Sequence, residues 1–142
     1  MNLIIFYDHS KDILNIVNKY KNAYNASVYE IKTNELVTLK DKIASSYFNK
    51  PINVFRCNLN LLNYENIILI SPLWFNKIPG PVIKFLEEQT GKINNIIYLL
   101  YNYNKEDKPQ EFDKLDKILN LRREKSYFVS LNKKEIHVRV YQ

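Results

Sequence analysis

Three nearly unbroken apolar runs constrain the fold of this 142-residue chain more than any other feature. They cover 3–7 (LIIFY), 66–71 (NIILIS) and 95–101 (NIIYLLY). Strands that are apolar on both faces are typical of a parallel sheet covered by helices on both sides. The runs therefore predict the central strands of an α/β protein.

Helical spacing follows each run. Apolar residues three or four apart predict helices over 12–24, 79–89 and 111–123. Weaker patterns predict a strand over 26–31 and a short helix within 36–48. The order of elements predicts one domain, 1–142, built as a three-layer α/β/α sandwich on a mainly parallel five-stranded sheet.

The chain ends on two β-rich runs, 127–131 and 136–141, which predict a hairpin in place of a last helix. In the second run, His137, Arg139 and Tyr141 alternate with apolar residues. We expect these three side chains to form the wet face of the strand.

Composition excludes several kinds of site. A single cysteine, Cys57, and two histidines leave no disulfide framework and no multi-cysteine metal site. Two glycines are too few for a glycine-rich phosphate loop. No catalytic triad or carboxylate pair can be assembled from spacing. The first apolar run is too short for a signal peptide or membrane span, so we expect a soluble cytoplasmic protein.

A parallel sheet places ligands at the carboxyl ends of its strands, which here are followed by 8–13, 71–79 and 101–109. Around the second of these, residues 64–87 (YENIILISPLWFNKIPGPVIKFLE) resemble the central segment of flavodoxins. The segment 3–13 (LIIFYDHSKDI) and the pair Gly91-Lys92 are similar to flavodoxin segments in the same order. The resemblance covers the chain to about 119 and implies strand order 2-1-3-4-5 and a bound FMN that carries one or two electrons.

The resemblance also implies which residues contact FMN. The phosphate loop would be Asp8, His9, Ser10, Lys11, Asp12 and Ile13. The first ring loop would be Ser71, Pro72, Leu73, Trp74, Phe75 and Asn76. The second ring loop would include Tyr101, Asn102 and Tyr103. No catalytic side chain and no metal ligand is implied.

The phosphate loop departs from the flavodoxin pattern. Only Ser10 keeps a hydroxyl, and Lys11 stands where glycine is expected. Each carboxylate of Asp8 and Asp12 would oppose a phosphate charge by roughly 4 kcal/mol at ~4 Å and an effective dielectric near 20. Lys11 and a protonated His9 would offset part of this repulsion. Alternatively, Ser10 and Asp12 only cap the helix.

The aromatic loops also allow two interpretations. An exposed Trp74 would cover one face of the flavin ring, or it would fold over the adjacent helix as core. Tyr103 would cover the other face, or it would belong to a tyrosine-rich surface loop. Asn76 replaces a glycine often found in flavodoxins.

Three hypotheses for function follow. The first is an FMN-binding electron carrier or small flavin-dependent oxidoreductase, with a redox protein or a small-molecule acceptor as partner. The second is a flavodoxin-like domain that has lost FMN and binds a protein or an anionic ligand. The net charge of +6 suggests nucleic acid as a third partner, which we rank last. Without a terminal helix, part of a sheet face would be left uncovered unless the hairpin or a second copy of the chain covers it, which makes a homodimer a further expectation.

Overall fold

The computed structural model describes residues 1–102, 107–132 and 135–141. The strands are β1 (Asn2–Phe6), β2 (Ser27–Glu30), β3 (Asn66–Pro72), β4 (Ile96–Tyr101), β5 (Lys125–Asn132) and β6 (Glu135–Tyr141). The helices are α1 (Lys11–Tyr24), α2 (Leu39–Phe48), α3 (Gly80–Glu87) and α4 (Gln110–Leu119). A 3-10 turn, Leu61–Asn63, has no counterpart among the sequence predictions.

The strands form one sheet in the order β2-β1-β3-β4-β5-β6. The first five are parallel, and β6 runs antiparallel to β5. The fold class, the order 2-1-3-4-5 and the terminal hairpin are therefore confirmed, with β6 extending the predicted five-stranded sheet to six. Because strand order reverses beside β1, the carboxyl ends of β1 and β3 diverge into a crevice.

The helices divide unequally between the two faces of the sheet. Residues of α3 and α4, such as Phe85 and Phe112, pack with Leu69 and Tyr98 on one face. On the other face, Ile13 and Val17 of α1 pack against the sheet. Both faces of the central strands are buried, which explains the unbroken apolar runs.

Asparagine takes the place of glycine at the helix ends. The C-cap residues Asn25, Asn49 and Asn120 all adopt the left-handed conformation, with φ of 48°, 53° and 50°. Asparagine tolerates this region better than other residues with a side chain. The chain can therefore stop its helices despite having two glycines.

The prediction for the wet face of β6 is wrong for Arg139 and Tyr141, whereas the side chain of His137 lies outside the part of the chain that is described. Tyr141 packs on the α4 side, with its ring 5.5 Å from that of Phe128. Arg139 forms a hydrogen-bonded ion pair with Asp107, and this bond holds the pKa of the Asp107 carboxyl below its usual range. Of the β6 side chains that the structure describes, 138–141, the exposed ones are Val138 and Val140. An alternating pattern defines two faces, but aromatic and guanidinium groups can occupy the inner one.

The face without a terminal helix is covered better than the sequence suggests. Leu99 and Tyr101 on this face are buried. Tyr20 and Tyr24 of α1 stack on each other at 6.1 Å and pack against the same cluster, as does Tyr127. These tyrosines therefore cover part of the sheet face that the single helix leaves open. No helix among the described residues has both the length and the hydropathy that crossing a bilayer requires.

Candidate functional site

A cleft of about 420 Å³ opens at the carboxyl ends of β1, β3 and β4. This position is the crevice where α/β sheets bind ligands, and the volume falls within the range of small-molecule sites. The lining residues are Asp8, Ser10, Lys42, Pro72, Leu73, Trp74, Phe75, Asn76 and Asn102.

A tight turn after β3 forms one wall of the cleft. The backbone groups of Trp74 and Lys77 exchange hydrogen bonds of 2.8 and 2.9 Å. Between them, Phe75 and Asn76 have φ of 50° and 64°. Two central residues with positive φ are typical of a type I′ turn, which usually contains Asn-Gly. A phenylalanine in this conformation is strained, and such strain clusters at functional sites.

The turn places an aromatic ring at the cleft and is linked to the opposite loop. Phe75 remains 41% exposed, although its ring lies 5.5 Å from that of Tyr47. Asn102, which follows β4, donates a hydrogen bond from Nδ2 to Oδ1 of Asn76 at 3.2 Å. This bond fixes the loops after β3 and β4 relative to each other.

Trp74 is not the exposed aromatic residue of the site, which agrees with the alternative that it folds into the core. It is only 6% exposed and packs edge-on against Tyr7 at 5.7 Å. Ser46 of α2 donates a 3.2 Å hydrogen bond to its carbonyl oxygen. Burial raises the pKa of the Tyr7 phenol, and the negative charges of Asp8 and Glu30 add to this shift. Trp74 forms the floor of the cleft, and Phe75 takes the exposed position.

In the predicted phosphate loop, a carboxylate of the loop itself is bound to a backbone amide. A carboxylate oxygen of Asp8 accepts a 2.9 Å hydrogen bond from the backbone amide of Ser10. The hydroxyl of Ser10 accepts from the amide of Ile13 at 3.4 Å. Two donors that a phosphate could use are therefore already engaged. The amides of Lys11 and Asp12 are the other donors of this helix N-terminus.

Several residues expected in the site do not line the cleft. Ile13, Ser71 and Tyr101 are buried. His9 points to β2 instead, where its Nδ1 lies 2.7 Å from Oε1 of Glu30. Lys11 and Asp12 are absent from the lining, and Tyr103 lies outside the described residues.

Lys42 lines the cleft and was missed by the sequence analysis. Its ammonium group lies 5.4 Å from the centroid of the Trp74 ring. The residue belongs to α2, a helix with no site motif of its own. Only the packing of α2 against the turn after β3 brings this charge to the cleft, so no local signal could have revealed it.

Glu111 supports the same wall from α4. The backbone amide of Ile78, which follows the turn, acts to lower the pKa of the Glu111 carboxyl. Oε2 is buried with no hydrogen-bond partner among the described residues. Burial raises the pKa of this carboxyl, although Lys114 and Lys77 partly oppose the shift.

The sheet order and the crevice beside β1 define a flavodoxin-like fold. An apo flavoprotein from Lactobacillus acidophilus is similar to this chain, with a TM-score of 0.70 and 14% identity over 86% of both chains. The flavoprotein from the same organism in complex with FMN has a TM-score of 0.68 and 16% identity over 91% of both chains. A protein from Bacteroides uniformis, also assigned as a flavoprotein, has a TM-score of 0.75 and 14% identity over 94% of this chain and 92% of its own.

No protein-family model matches this sequence, and no curated protein does. At these identities, the solved structures establish the fold alone.

Proposed function

We propose that this chain binds FMN in the cleft at the carboxyl ends of β1, β3 and β4, and acts in electron transfer or as a small flavin-dependent oxidoreductase. The observation that carries the proposal is Phe75, which the strained turn holds partly exposed at the cleft. An aromatic ring in this position gains most by stacking on another ring. The flavoprotein with FMN bound, which shares the fold, supports the same ligand.

The described residues suit the two ends of FMN differently. At the ring end, Phe75 would pack on the flavin, while the bond between Asn76 and Asn102 would keep the two loops in a fixed position relative to each other. At the phosphate end, the Ser10 hydroxyl and the amides of Lys11 and Asp12 would bind, and the carboxylate of Asp8 would oppose. We therefore expect the ring to contribute more of the affinity than the phosphate.

Lys42 contributes a positive charge to the lining of the cleft. It would compensate the charge of Asp8 and favour a ligand that gains electrons. The flavin would supply one- or two-electron chemistry, so no side chain of the chain needs to act as an acid or base. A redox protein or a small-molecule acceptor would be the reaction partner.

The test is a titration of the purified protein with FMN, followed by flavin absorbance and fluorescence. We expect saturable 1:1 binding that survives desalting, with fluorescence quenched by the aromatic lining. Phe75→Ala should weaken binding, whereas Phe55→Ala should not, because Phe55 is also an exposed phenylalanine but does not line the cleft. Equal loss in both variants would contradict a specific role for Phe75.

One observation favours the second candidate, a domain that has lost FMN. The Asp8 carboxylate occupies an amide donor of the loop that would otherwise bind phosphate. If the protein binds neither FMN nor riboflavin, the fold serves another ligand or a protein partner. If riboflavin binds as tightly as FMN, the cleft is a ring site without a working phosphate loop.

A further inference from the structure

Helix α2 buries polar residues and exposes apolar ones, which is the reverse of an ordinary surface helix. Its fully buried residues are two serines, Ser45 and Ser46. Its apolar residues point to solvent, with Leu39 66%, Tyr47 59% and Phe48 78% exposed. A surface helix normally buries its apolar stripe, so this arrangement needs another explanation.

The exposed apolar side chains of α2 and of the turn after β3 are grouped in one region of the chain, and we call them the α2 patch. It consists of Leu39, Ile43, Tyr47, Phe48 and Phe75. The ring contact between Tyr47 and Phe75 joins the helix to the turn at the cleft. Leu39, Ile43 and Tyr47 are spaced four residues apart, so they form a single ridge along the helix.

The area of the α2 patch matches what a stable dimer needs. Taking about 200 Å² for each fully exposed large side chain, the five residues present roughly 550 Å² of apolar surface. A standard interface buries about 800 Å² per partner, of which somewhat more than half is apolar. An exposed patch of this size lies at the upper end for a protein that stays monomeric, about 300–600 Å².

Two of the lysines beside the α2 patch are engaged within the chain. Lys50 lies 3.5 Å from a carboxylate oxygen of Asp41. Lys77 donates a 2.9 Å hydrogen bond to the carbonyl of Ser46 and lies 5.6 Å from the centroid of the Tyr47 ring. An occupant that carries an acidic surface would have to compete with these contacts. An apolar occupant would not.

We propose that the α2 patch is the interface of a homodimer in which α2 packs on α2 of a second copy. Ridges of residues four apart interdigitate with identical ridges at a crossing angle near −50°, the commonest class of helix packing. A two-fold axis through the patch would make the contact self-complementary and closed. The second copy would then lie at the mouth of the cleft, because Phe75 belongs to both surfaces.

Sedimentation velocity of the chain, prepared without flavin at about 5 to 500 μM, tests the proposal directly. We expect the mass to rise with concentration from 17.0 kDa towards twice that value. The dimer should tighten when NaCl rises from about 0.02 to 0.3 M, because two chains of charge +6 repel less at higher salt. Binding of an acidic partner would show the opposite salt dependence.

Leu39→Glu should weaken the dimer by about tenfold or more. The substitution lowers the net charge, so added repulsion cannot explain the loss, and glutamate suits the first turn of a helix. The matched control is Leu62→Glu, since Leu62 is similarly exposed but lies in the 3-10 turn. Circular dichroism and urea unfolding of both variants verify that they fold.

A wild-type chain that stays monomeric at every concentration would overturn the proposal. So would a dimer that Leu39→Glu and Leu62→Glu affect equally, because the contact would then lie elsewhere, for example at the exposed valines of β6. The experiment needs no flavin, so it stands or falls independently of FMN binding.

Discussion

Asp8→Asn tests whether the loop before α1 binds phosphate. In the wild-type chain, the carboxylate accepts the amide of Ser10 at 2.9 Å. Asparagine keeps an acceptor oxygen in the same place, so the loop geometry should survive while the negative charge is lost. If FMN binds with its phosphate at this loop, the substitution should increase its affinity.

The size of the effect follows from Coulomb's law. For a phosphate held by the hydroxyl of Ser10 and the first amides of α1, we take a separation of about 5 Å between its charge and the Asp8 carboxylate. At this distance, each phosphate charge is opposed by about 1 kcal/mol in bulk water and about 3 kcal/mol at an effective dielectric of 20. Asp8 is partly exposed, so we expect a gain of about 2 kcal/mol, or roughly thirtyfold in Kd.

Riboflavin provides the internal control, because it has the ring of FMN but no phosphate. Asp8→Asn should increase the affinity for FMN and leave that for riboflavin unchanged. Glu65→Gln, which removes one negative charge from an exposed position before β3, should alter neither affinity. An unchanged ratio of FMN to riboflavin affinity in Asp8→Asn would refute phosphate binding at this loop.

Three further experiments test how the elements around the site pack. Glu111→Gln should raise the free energy of unfolding by about 1 kcal/mol at pH 7 and leave it unchanged near pH 4. Folding raises the pKa of the Glu111 carboxyl, so the ionised wild-type side chain destabilises the folded protein as the pH rises, and glutamine removes this effect. Urea unfolding at both pH values measures the difference. Gly80→Ala should lower the free energy of unfolding by about 1–2 kcal/mol, because the added Cβ would lie 2.5 Å from the hydroxyl oxygen of Ser45. Adding Ser45→Ala to this variant should restore part of the lost free energy in the same assay. Phe75→Gly should be more stable than Phe75→Ala by about 1 kcal/mol, because glycine adopts positive φ without strain; equal stability would mean the turn is not strained.

The architecture could be predicted because its signal is local. A strand that is buried on both faces must be apolar at every position, so β1, β3 and β4 are visible as unbroken runs. Helices of period 3.6 between them leave few topologies once crossovers are right-handed. The order of the parallel strands was predicted from the resemblance to flavodoxins.

Exposure could not be predicted, because it depends on partners far along the chain. Trp74 is buried by contact with Tyr7 and with α2, whose Ser46 lies 28 residues before it. The same helix brings Lys42 to the cleft, although its own residues carry no site pattern. The apolar spacing within 36–48 was correct evidence for a helix, but it could not show that the apolar residues face solvent.

The turn after β3 connects these observations. Phe75 keeps a conformation that glycine would adopt at lower cost, and it leaves a large aromatic surface exposed. Neither the strained conformation nor the exposed ring stabilises the isolated chain. We therefore expect both features to serve binding rather than folding. A flavin ring in the cleft would cover one side of Phe75, and a second copy on the α2 patch would cover Tyr47 beside it. The two proposals therefore predict that dimerisation and ring binding act on the same side chain, so any effect of one on the affinity of the other must be reciprocal.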